Sequence, residues 1–214
     1  MDGSSSATTR PSEIVEGATS SDMAYLWCSN QNNNQDAKQI VLLHGSSFTK
    51  ETWQSDDMLL QFCAGSKSVI ALDFPVSTNY VGLMQVLDEV KTSSNDRQLF
   101  LSEEPVTLVT PSASGYSVVS WIMNGDITQL PDYISEWVPV ATGCLVSASD
   151  EQIAPLATLS DFRILAINGN EDRAGGKYST RLSELAGATA VELTGRHAVY
   201  LQSPDDFVST ILNF

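Results

Sequence analysis

The stretch of residues 106–121 constrains the fold of this chain more than any other part of its sequence. It opens with a β-branched apolar run that is typical of a central strand. Pro111 then ends the run, because proline has no N–H to donate to a sheet ladder. Small residues follow, and after them come apolar residues at near-helical spacing. A buried strand, a sharp turn and a helix are therefore predicted, with a serine raised above the sheet at the turn.

Three serines could be the raised residue, namely Ser112, Ser114 and Ser117. In a nucleophile elbow the strand and the helix make a sharp, strained turn, so the residues two before and two after the serine must be small. Thr110 and Ser114 meet this condition for Ser112, whereas Tyr116 is too large beside Ser114. Ser117 lies one turn into the helix. Ser112 is therefore the predicted nucleophile, although the turn lacks the usual glycines and a serine-rich turn without chemistry is the simpler interpretation of this motif alone.

The composition is that of an ordinary globular protein, since 42% of the 214 residues are hydrophobic and 17% are charged. The length suits one domain, predicted over residues 22–214, after a Ser/Thr/Gly-rich segment 1–21 that is predicted to be flexible. A net charge of −15 disfavours binding to nucleic acid or to an anionic membrane surface. No apolar run approaches the length that spans a bilayer. We expect a monomer.

The cysteines carry little information about the fold. Cys28, Cys63 and Cys144 are widely spaced and odd in number, so no disulfide framework can be read from them. Each is expected to be a small buried residue. The first residues are polar and lack the features of a signal peptide. An intracellular, reducing environment is therefore expected, with the cytoplasm as the first location and the nucleus as the second.

Strands and helices alternate along the chain, which is typical of an α/β fold with a mostly parallel sheet and helices on both faces. Ligands in such folds bind at the carboxyl ends of the strands. Four residues with useful chemistry follow predicted strands: His44, Ser112, Asp172 and His197. Only about fifty residues separate Ser112 from the later strand that begins at Arg163. A large lid domain does not fit there, so an open site for a small acyl group is expected.

The order of Ser112, Asp172 and His197 along the chain is the Ser…Asp…His order of α/β-hydrolases. Asp172 lies in a loop after one strand, and His197 follows the last strand. His44 instead precedes a turn suited to donating an N–H to an oxyanion, so His197 is the histidine placed to act as a base. A loop histidine or a turn aspartate is more often structural when taken singly, but the agreement of all three positions favours catalysis. No metal is expected, because two distant histidines cannot build an ordinary zinc site.

Several segments together resemble the α/β-hydrolase-domain-containing protein 14 family. They span about residues 39–214 and lie at 41–45, 51–53, 71–75, 110–115, 138–141, 169–172 and 195–197. That family has an unusual elbow, Ser-Pro-Ser-x-Ser-Gly, which is present here with Thr110 in place of the first serine. The resemblance explains the missing glycines. The turn after Pro75 departs from the family's glycine-rich pattern, so substrate identity does not transfer with the resemblance.

The site predicted from these observations is that of a serine hydrolase for short-chain acyl esters. Ser112 attacks, His197 takes its proton and Asp172 orients the imidazole. The backbone N–H groups of Ser46 and Ala113 are the expected oxyanion donors. Further residues expected to contact substrate are Ser47, Trp53 and Trp137, although aromatic residues beside strand ends are more often plain core packing.

The family resemblance also implies acyl transfer, including removal of acetyl groups from protein lysine with coenzyme A as the acceptor. The expected partners are therefore a small acyl substrate and an acylated protein, and coenzyme A enters only as a transient acceptor. The alternative is a protein-interaction module that keeps the α/β-hydrolase fold with an idle triad.

Overall fold

A computed structural model describes residues 13–30, 38–92 and 103–214 of the chain. The described residues form an eight-stranded sheet. Its strands are β1 (Val15–Ala18), β2 (Ala24–Ser29), β3 (Gln39–Leu42), β4 (Ser68–Leu72), β5 (Val106–Pro111), β6 (Ile134–Val140), β7 (Arg163–Gly169) and β8 (Thr189–Leu193).

The strand order across the sheet is β1-β2-β4-β3-β5-β6-β7-β8. The pairings of β1 with β2 and of β2 with β4 are antiparallel, and every later pairing is parallel. Parallel strands need crossover connections, and helices supply most of them here. The predicted α/β-hydrolase fold with a mostly parallel sheet is confirmed, and the described residues form no large lid.

Helices cover both faces of the sheet. They are α1 (Met58–Gly65), α2 (Tyr80–Thr92), α3 (Tyr116–Asn124), α4 (Leu130–Tyr133), α5 (Asp150–Ile153), α6 (Arg173–Ala186) and α7 (Pro204–Leu212). Short 3₁₀ turns join several of them, among them Lys50–Asp57 before α1 and Ser112–Gly115 before α3.

Two apolar clusters form the core, one on each face. The side chains of successive strand residues point to opposite faces, so Leu108 and Val109 of β5 belong to different clusters. Leu108 packs with residues of α2, α3 and α6, including the fully buried Trp121. Val109 packs with residues of α1 and α7, including Phe62 and Phe207. Burial on both faces explains why β3, β4 and β5 read as nearly continuous apolar runs.

The segment predicted to be flexible, residues 1–21, is structured at its end. Residues 1–12 lie outside the described part of the chain. Val15–Ala18 instead forms the edge strand β1, paired antiparallel with β2 from Val15 opposite Trp27 to Ala18 opposite Ala24. The alternation of partly buried and exposed residues along β1 is typical of an edge strand with one face on the protein.

Two of the three cysteines form a disulfide that could not be read from the sequence. Cys28 of β2 and Cys63 of α1 are bonded, with 5.8 Å between their Cα atoms. The spacing of the cysteines does not reveal this pair, because only tertiary packing brings β2 against α1. Both residues are fully buried, as expected. The bond removes the cysteine argument for a reducing compartment, so a cytoplasmic or nuclear location stays a prediction.

Within the described ranges, every helix is too short or too polar to cross a membrane.

Candidate active site

Ser112 sits at the sharp turn between β5 and α3. Its φ is 52°, a left-handed value that is costly for a residue with a side chain. Pro111, the last residue of β5, still has extended backbone, and the chain turns helical directly after Ser112. Ser112 is half-buried, whereas the flanking Thr110 and Ser114 are fully buried. The strained backbone therefore raises one serine at the start of a helix.

The other two serines of the turn have structural roles. Ser114 and Ser117 are fully buried. The Ser114 hydroxyl donates to the Pro111 carbonyl at 2.9 Å, and the Ser117 hydroxyl donates to the Ser114 carbonyl at 2.9 Å. Both hydroxyls are thus occupied by the backbone of the turn itself.

Small residues are needed where the elbow meets the loop after β6. A Cβ atom on Gly115 would lie 2.3 Å from Cγ2 of Thr142, so this position accepts glycine alone without movement. The Thr142 hydroxyl donates to the Thr110 carbonyl at 3.2 Å, and the Trp137 indole N–H donates to the Thr110 hydroxyl at 2.9 Å. The Thr110 side chain, which a glycine would lack, therefore links the elbow to β6 by a hydrogen bond.

The structure brings Ser112, His197 and Asp172 together. His197 Nε2 lies 2.8 Å from Ser112 Oγ, and His197 Nδ1 lies 2.7 Å from Asp172 Oδ2. The three residues follow β5, β8 and β7, whose carboxyl ends share one edge of the sheet. The His197 side chain is 56% exposed, whereas the Asp172 side chain is only 10% exposed. The imidazole therefore faces solvent and the hydroxyl on one side and a shielded carboxylate on the other.

Asp172 is held by the first turn of α6. It caps this helix, and its Oδ1 accepts the Gly175 N–H at 3.0 Å. Burial raises the pKa of Asp172, but the hydrogen bonds from Gly175 and His197 outweigh burial and hold that pKa below its usual value. A Cβ on Gly175 would lie 2.6 Å from Oδ2, the oxygen that meets His197. Gly175 therefore leaves room for the carboxylate to reach the imidazole.

Hydrogen bonds join the loop of Asp172 to the loop of His197. The Glu171 N–H donates to the Gly195 carbonyl at 2.8 Å, and the Gly195 N–H donates to Asn170 Oδ1 at 3.0 Å. The two backbones approach so closely that a Cβ on Gly169 would lie 2.3 Å from the Gly195 oxygen. The acid and the histidine are thus positioned by one shared loop structure.

A small cavity of about 110 Å³ opens beside Ser112 and His197. Its other lining residues are Gly45, Ser46, Ser47, Phe48, Pro111, Ala198 and Tyr200. Ser46 and Ser47, both predicted site residues, thus line the cavity. Ala113 is half-buried and directly follows Ser112 at the start of the turn. Phe48 and Tyr200 were missed by the sequence reasoning. Phe48 directly follows the predicted residue Ser47, and Tyr200 lies three residues after His197. This closeness in sequence was the available signal.

Trp53 and Trp137, expected to contact substrate, do not border this cavity. Both are fully buried, as is Phe74. Trp53 stacks on Tyr200 at 5.2 Å and on Phe207 at 6.1 Å between ring centroids, so it supports the cavity wall from behind. Trp137 holds Thr110 from the neighbouring strand. The competing interpretation, plain core packing, describes both tryptophans.

Cys144 is a further residue with reactive chemistry near Ser112. Cys144 is half-buried, with Sγ 3.9 Å from the Ser112 carbonyl oxygen, and burial raises the pKa of its thiol to about 11. Such a thiol is protonated at neutral pH and is a poor nucleophile. In the described part of the chain, no three His, Cys, Asp or Glu side chains are grouped to hold a metal ion.

Sequence comparison finds relatives of this chain among curated proteins. Human ABHD14A is 27% identical over 186 residues, which make up 85% of this chain and 65% of ABHD14A. Human "Putative protein-lysine deacylase ABHD14B" is 26% identical over 181 residues, or 82% of this chain and 81% of that protein. The chain therefore spans slightly less than two thirds of the length of ABHD14A. No protein-family model matches the chain.

Structure comparison agrees with the fold. The crystal structure of a "predicted CIB-like hydrolase" from Thermoplasma acidophilum matches with a TM-score of 0.67 at 19% identity, covering 95% of this chain and 98% of that chain. At 19% identity this structural match shows the fold alone. The evidence on the family comes from the curated relatives. The chain is thus an α/β-hydrolase-fold protein, and its homology to ABHD14A and ABHD14B supports its place in the ABHD14 family of the α/β-hydrolase superfamily.

Proposed function

We propose that this chain is a serine hydrolase that cleaves short-chain acyl esters through Ser112, His197 and Asp172. The observation that carries the proposal is the position of the His197 ring, with Nε2 2.8 Å from Ser112 Oγ and Nδ1 2.7 Å from Asp172 Oδ2. These are the distances that a base needs to both a nucleophile and an orienting acid. The strained backbone of Ser112 at the start of a helix is a second feature that supports the proposal.

The first half of the reaction forms an acyl-enzyme. As Ser112 Oγ bonds to the acyl carbon, its proton moves to His197 Nε2, and the carbonyl oxygen becomes an oxyanion. Asp172 keeps the Nδ1 proton in place and stabilises the imidazolium. The tetrahedral intermediate then collapses, the bond to the leaving alcohol breaks, and His197 returns the proton to that alcohol. The low pKa of Asp172 keeps the carboxylate charged throughout.

The N–H groups of Ser46 and Ala113 are the proposed oxyanion donors. Ser46 borders the cavity from the loop after β3, and Ala113 follows Ser112 at the start of the helical turn. One such donor is worth about 3 kcal/mol of barrier in related chemistry.

The second half of the reaction releases the acyl group. Water attacks the acyl-enzyme while His197 accepts its proton, and the Ser112 hydroxyl is regenerated. We propose that a thiol such as that of coenzyme A can take the place of water, giving an acyl thioester. With an acylated protein lysine as donor, the amine leaves with the proton from His197. The name of the relative ABHD14B, "Putative protein-lysine deacylase", supports an acylated protein lysine as the donor. In this proposal coenzyme A is a substrate that accepts the acyl group.

Short acyl groups are favoured by the size of the cavity. Its volume of about 110 Å³ is well below the roughly 300–1,000 Å³ of pockets that hold drug-sized ligands. Phe48 and Tyr200 line it and lie edge to face, with 6.2 Å between ring centroids. We propose that the chain acts as a monomer on small acyl compounds and on acylated proteins.

A fluorophosphonate probe tests the proposal, because it reacts with activated serines. We expect labelling of the wild type and of Ser114→Ala, and no labelling of Ser112→Ala. p-Nitrophenyl esters of increasing acyl length should be cleaved fastest at the acetyl end of the series. Equal labelling of Ser112→Ala would move the nucleophile elsewhere, and an unlabelled wild type would favour the interaction module.

A further inference from the structure

Asp73 lies at the end of β4, beside the loop that carries the proposed oxyanion donor Ser46. This loop runs from His44, after β3, to Lys50, where a 3₁₀ turn begins. β3 and β4 are parallel neighbours, so Asp73 and His44 leave the sheet at the same edge. Nothing in the reaction described above uses Asp73.

Asp73 contacts both ends of this loop. At the far end, Oδ1 accepts the backbone N–H of Lys50 at 2.7 Å, and Oδ2 lies 3.5 Å from the Lys50 ammonium. At the near end, Oδ1 lies 3.8 Å from Nε2 of His44. One carboxylate therefore lies between His44 and Lys50, the two residues that bound the loop carrying Ser46.

The Lys50 contact is a buried one. Lys50 is only 4% exposed, and a buried ammonium is stable only when it is paired. Besides Asp73, its ammonium lies 3.3 Å from Glu16 of β1 and against the carboxylate of Glu51. The bond to Glu51 raises the pKa of Lys50 above its ordinary value and outweighs burial. Lys50 thus stays charged and keeps its end of the loop at Asp73.

Inside the loop, the Gly45 carbonyl is held from two sides. It accepts the Phe48 N–H at 3.0 Å, and Nδ1 of His44 lies 2.9 Å from it. The peptide between Gly45 and Ser46 is planar and trans, so the Ser46 N–H points away from the Gly45 carbonyl. Whatever fixes the carbonyl also fixes the direction of that N–H.

We infer that Asp73 is a positioning residue for the oxyanion site: it holds Lys50, and with Lys50 the loop that fixes the direction of the Ser46 N–H. The inference rests on the proposed function, since it assigns a task within the same site. Asp73 does not line the cavity and does not touch substrate. Its contribution is greatest in the transition state, where the oxyanion is formed.

Kinetics of two variants test the inference. Asp73→Ala removes every acceptor, and we expect kcat to fall about 10- to 100-fold with KM within about threefold, since loss of a whole oxyanion donor costs about 100- to 1,000-fold. Asp73→Asn keeps an oxygen for the Lys50 N–H and should recover part of the loss. Glu104→Gln is the matched control, because Glu104 forms a carboxylate–lysine pair with Lys67, at 3.8 Å, away from the site.

Amide hydrogen exchange gives a readout that needs no activity. The Phe48 and Lys50 N–H groups are both bonded within this structure, and in Asp73→Ala we expect them to exchange at least about tenfold faster. Amides of α6 should be unchanged, which separates a local effect from general unfolding. An inactive wild type whose loop amides respond in this way would refute the proposed function and leave the positioning role standing. Unchanged kcat, or unchanged exchange at both amides, would overturn the inference.

Discussion

The two edges of the sheet each hold a group of opposite charges, and the two groups have opposite designs. At the amino edge a carboxylate is buried among cations: Glu136 lies 2.6 Å from the Lys38 ammonium and against the Arg163 guanidinium. At the carboxyl edge a cation is buried among carboxylates, because Lys50 is surrounded by Glu16, Glu51 and Asp73. Both groups satisfy the rule that buried charges are paired.

The groups differ in what they hold. Lys38 also donates to the Ile211 carbonyl at 3.1 Å, and Arg163 donates to the Phe214 carbonyl at 2.8 Å, so the Glu136 group fastens the C-terminal end of the chain to the sheet. The Lys50 group instead fastens a loop that borders the cavity. Ion pairs of the same chemistry thus hold the end of the chain at one edge and a loop beside the cavity at the other. Variants at the two edges should therefore separate stability from activity.

The largest expected effect is on activity at the carboxyl edge. Asp172→Asn keeps the size of the side chain but removes the charge that orients His197, and kcat should fall by about 10⁴-fold, as in other triads of this kind. The temperature of unfolding should change little, because the amide can still accept the Gly175 N–H. Ester hydrolysis and thermal melts check both points. A kcat within tenfold of the wild type would show that His197 does not depend on this carboxylate.

The next effect is on stability at the amino edge. Glu136→Gln leaves Lys38 and Arg163 without their carboxylate, and we expect a loss of about 2 kcal/mol in the free energy of unfolding. The kcat should stay within about twofold of the wild type, since the site is at the other end of the strands. Urea unfolding measures the loss. The control Glu104→Gln removes a more exposed pair and should cost less than about 1 kcal/mol.

The same variant has a predicted pH dependence. Burial raises the pKa of Glu136, but the bonds from Lys38 and Thr107 outweigh it and leave the pKa below its usual value. A carboxylate with a lowered pKa in the folded state contributes stability above its unfolded pKa, about 4.3, and loses it as the pH falls further. The difference between the wild type and Glu136→Gln should therefore be constant above about pH 5 and shrink at lower pH. A difference that grows below pH 4 would contradict this sign.

The smallest expected effect concerns the strained serine. Ser112 has a φ of 52°, which glycine adopts freely and alanine does not. Ser112→Gly and Ser112→Ala both lose the hydroxyl, so a comparison of the two isolates the backbone. We expect Ser112→Gly to be about 0.5–1 kcal/mol more stable than Ser112→Ala, with both inactive. Equal melting temperatures would mean that the turn stores no strain.

Much of this architecture could be predicted from local signals. The change from a β-branched run to a helical pattern at Pro111 located the elbow, and the strand-by-strand order placed Asp172 and His197 at the same edge as Ser112. Pro204 at the start of α7 is a local signal of the same kind, because proline is favoured in the first turn of a helix. Each of these signals is carried by a short stretch of sequence.

Features that depend on distant partners could not be predicted. The Cys28–Cys63 bond joins residues 35 positions apart, and the Asp73–Lys50 contact depends on two strands lying side by side. The burial of Trp53 and Trp137 could not be predicted either, because an aromatic residue near a strand end can face the cavity or the core. Only the packing of Tyr200 and Phe207 against Trp53 decides for the core.

The Cys28–Cys63 bond encloses the loop from His44 to Lys50 in a covalent ring. Closing a loop of this length is worth about 4 kcal/mol in chain-entropy terms, so reduction should weaken the whole protein. A protease that cuts once between these two cysteines would leave both fragments attached, and they would part only after reduction. The loop that carries the proposed oxyanion donor is thus restrained twice, by the ion pair of Lys50 with Asp73 and by the disulfide.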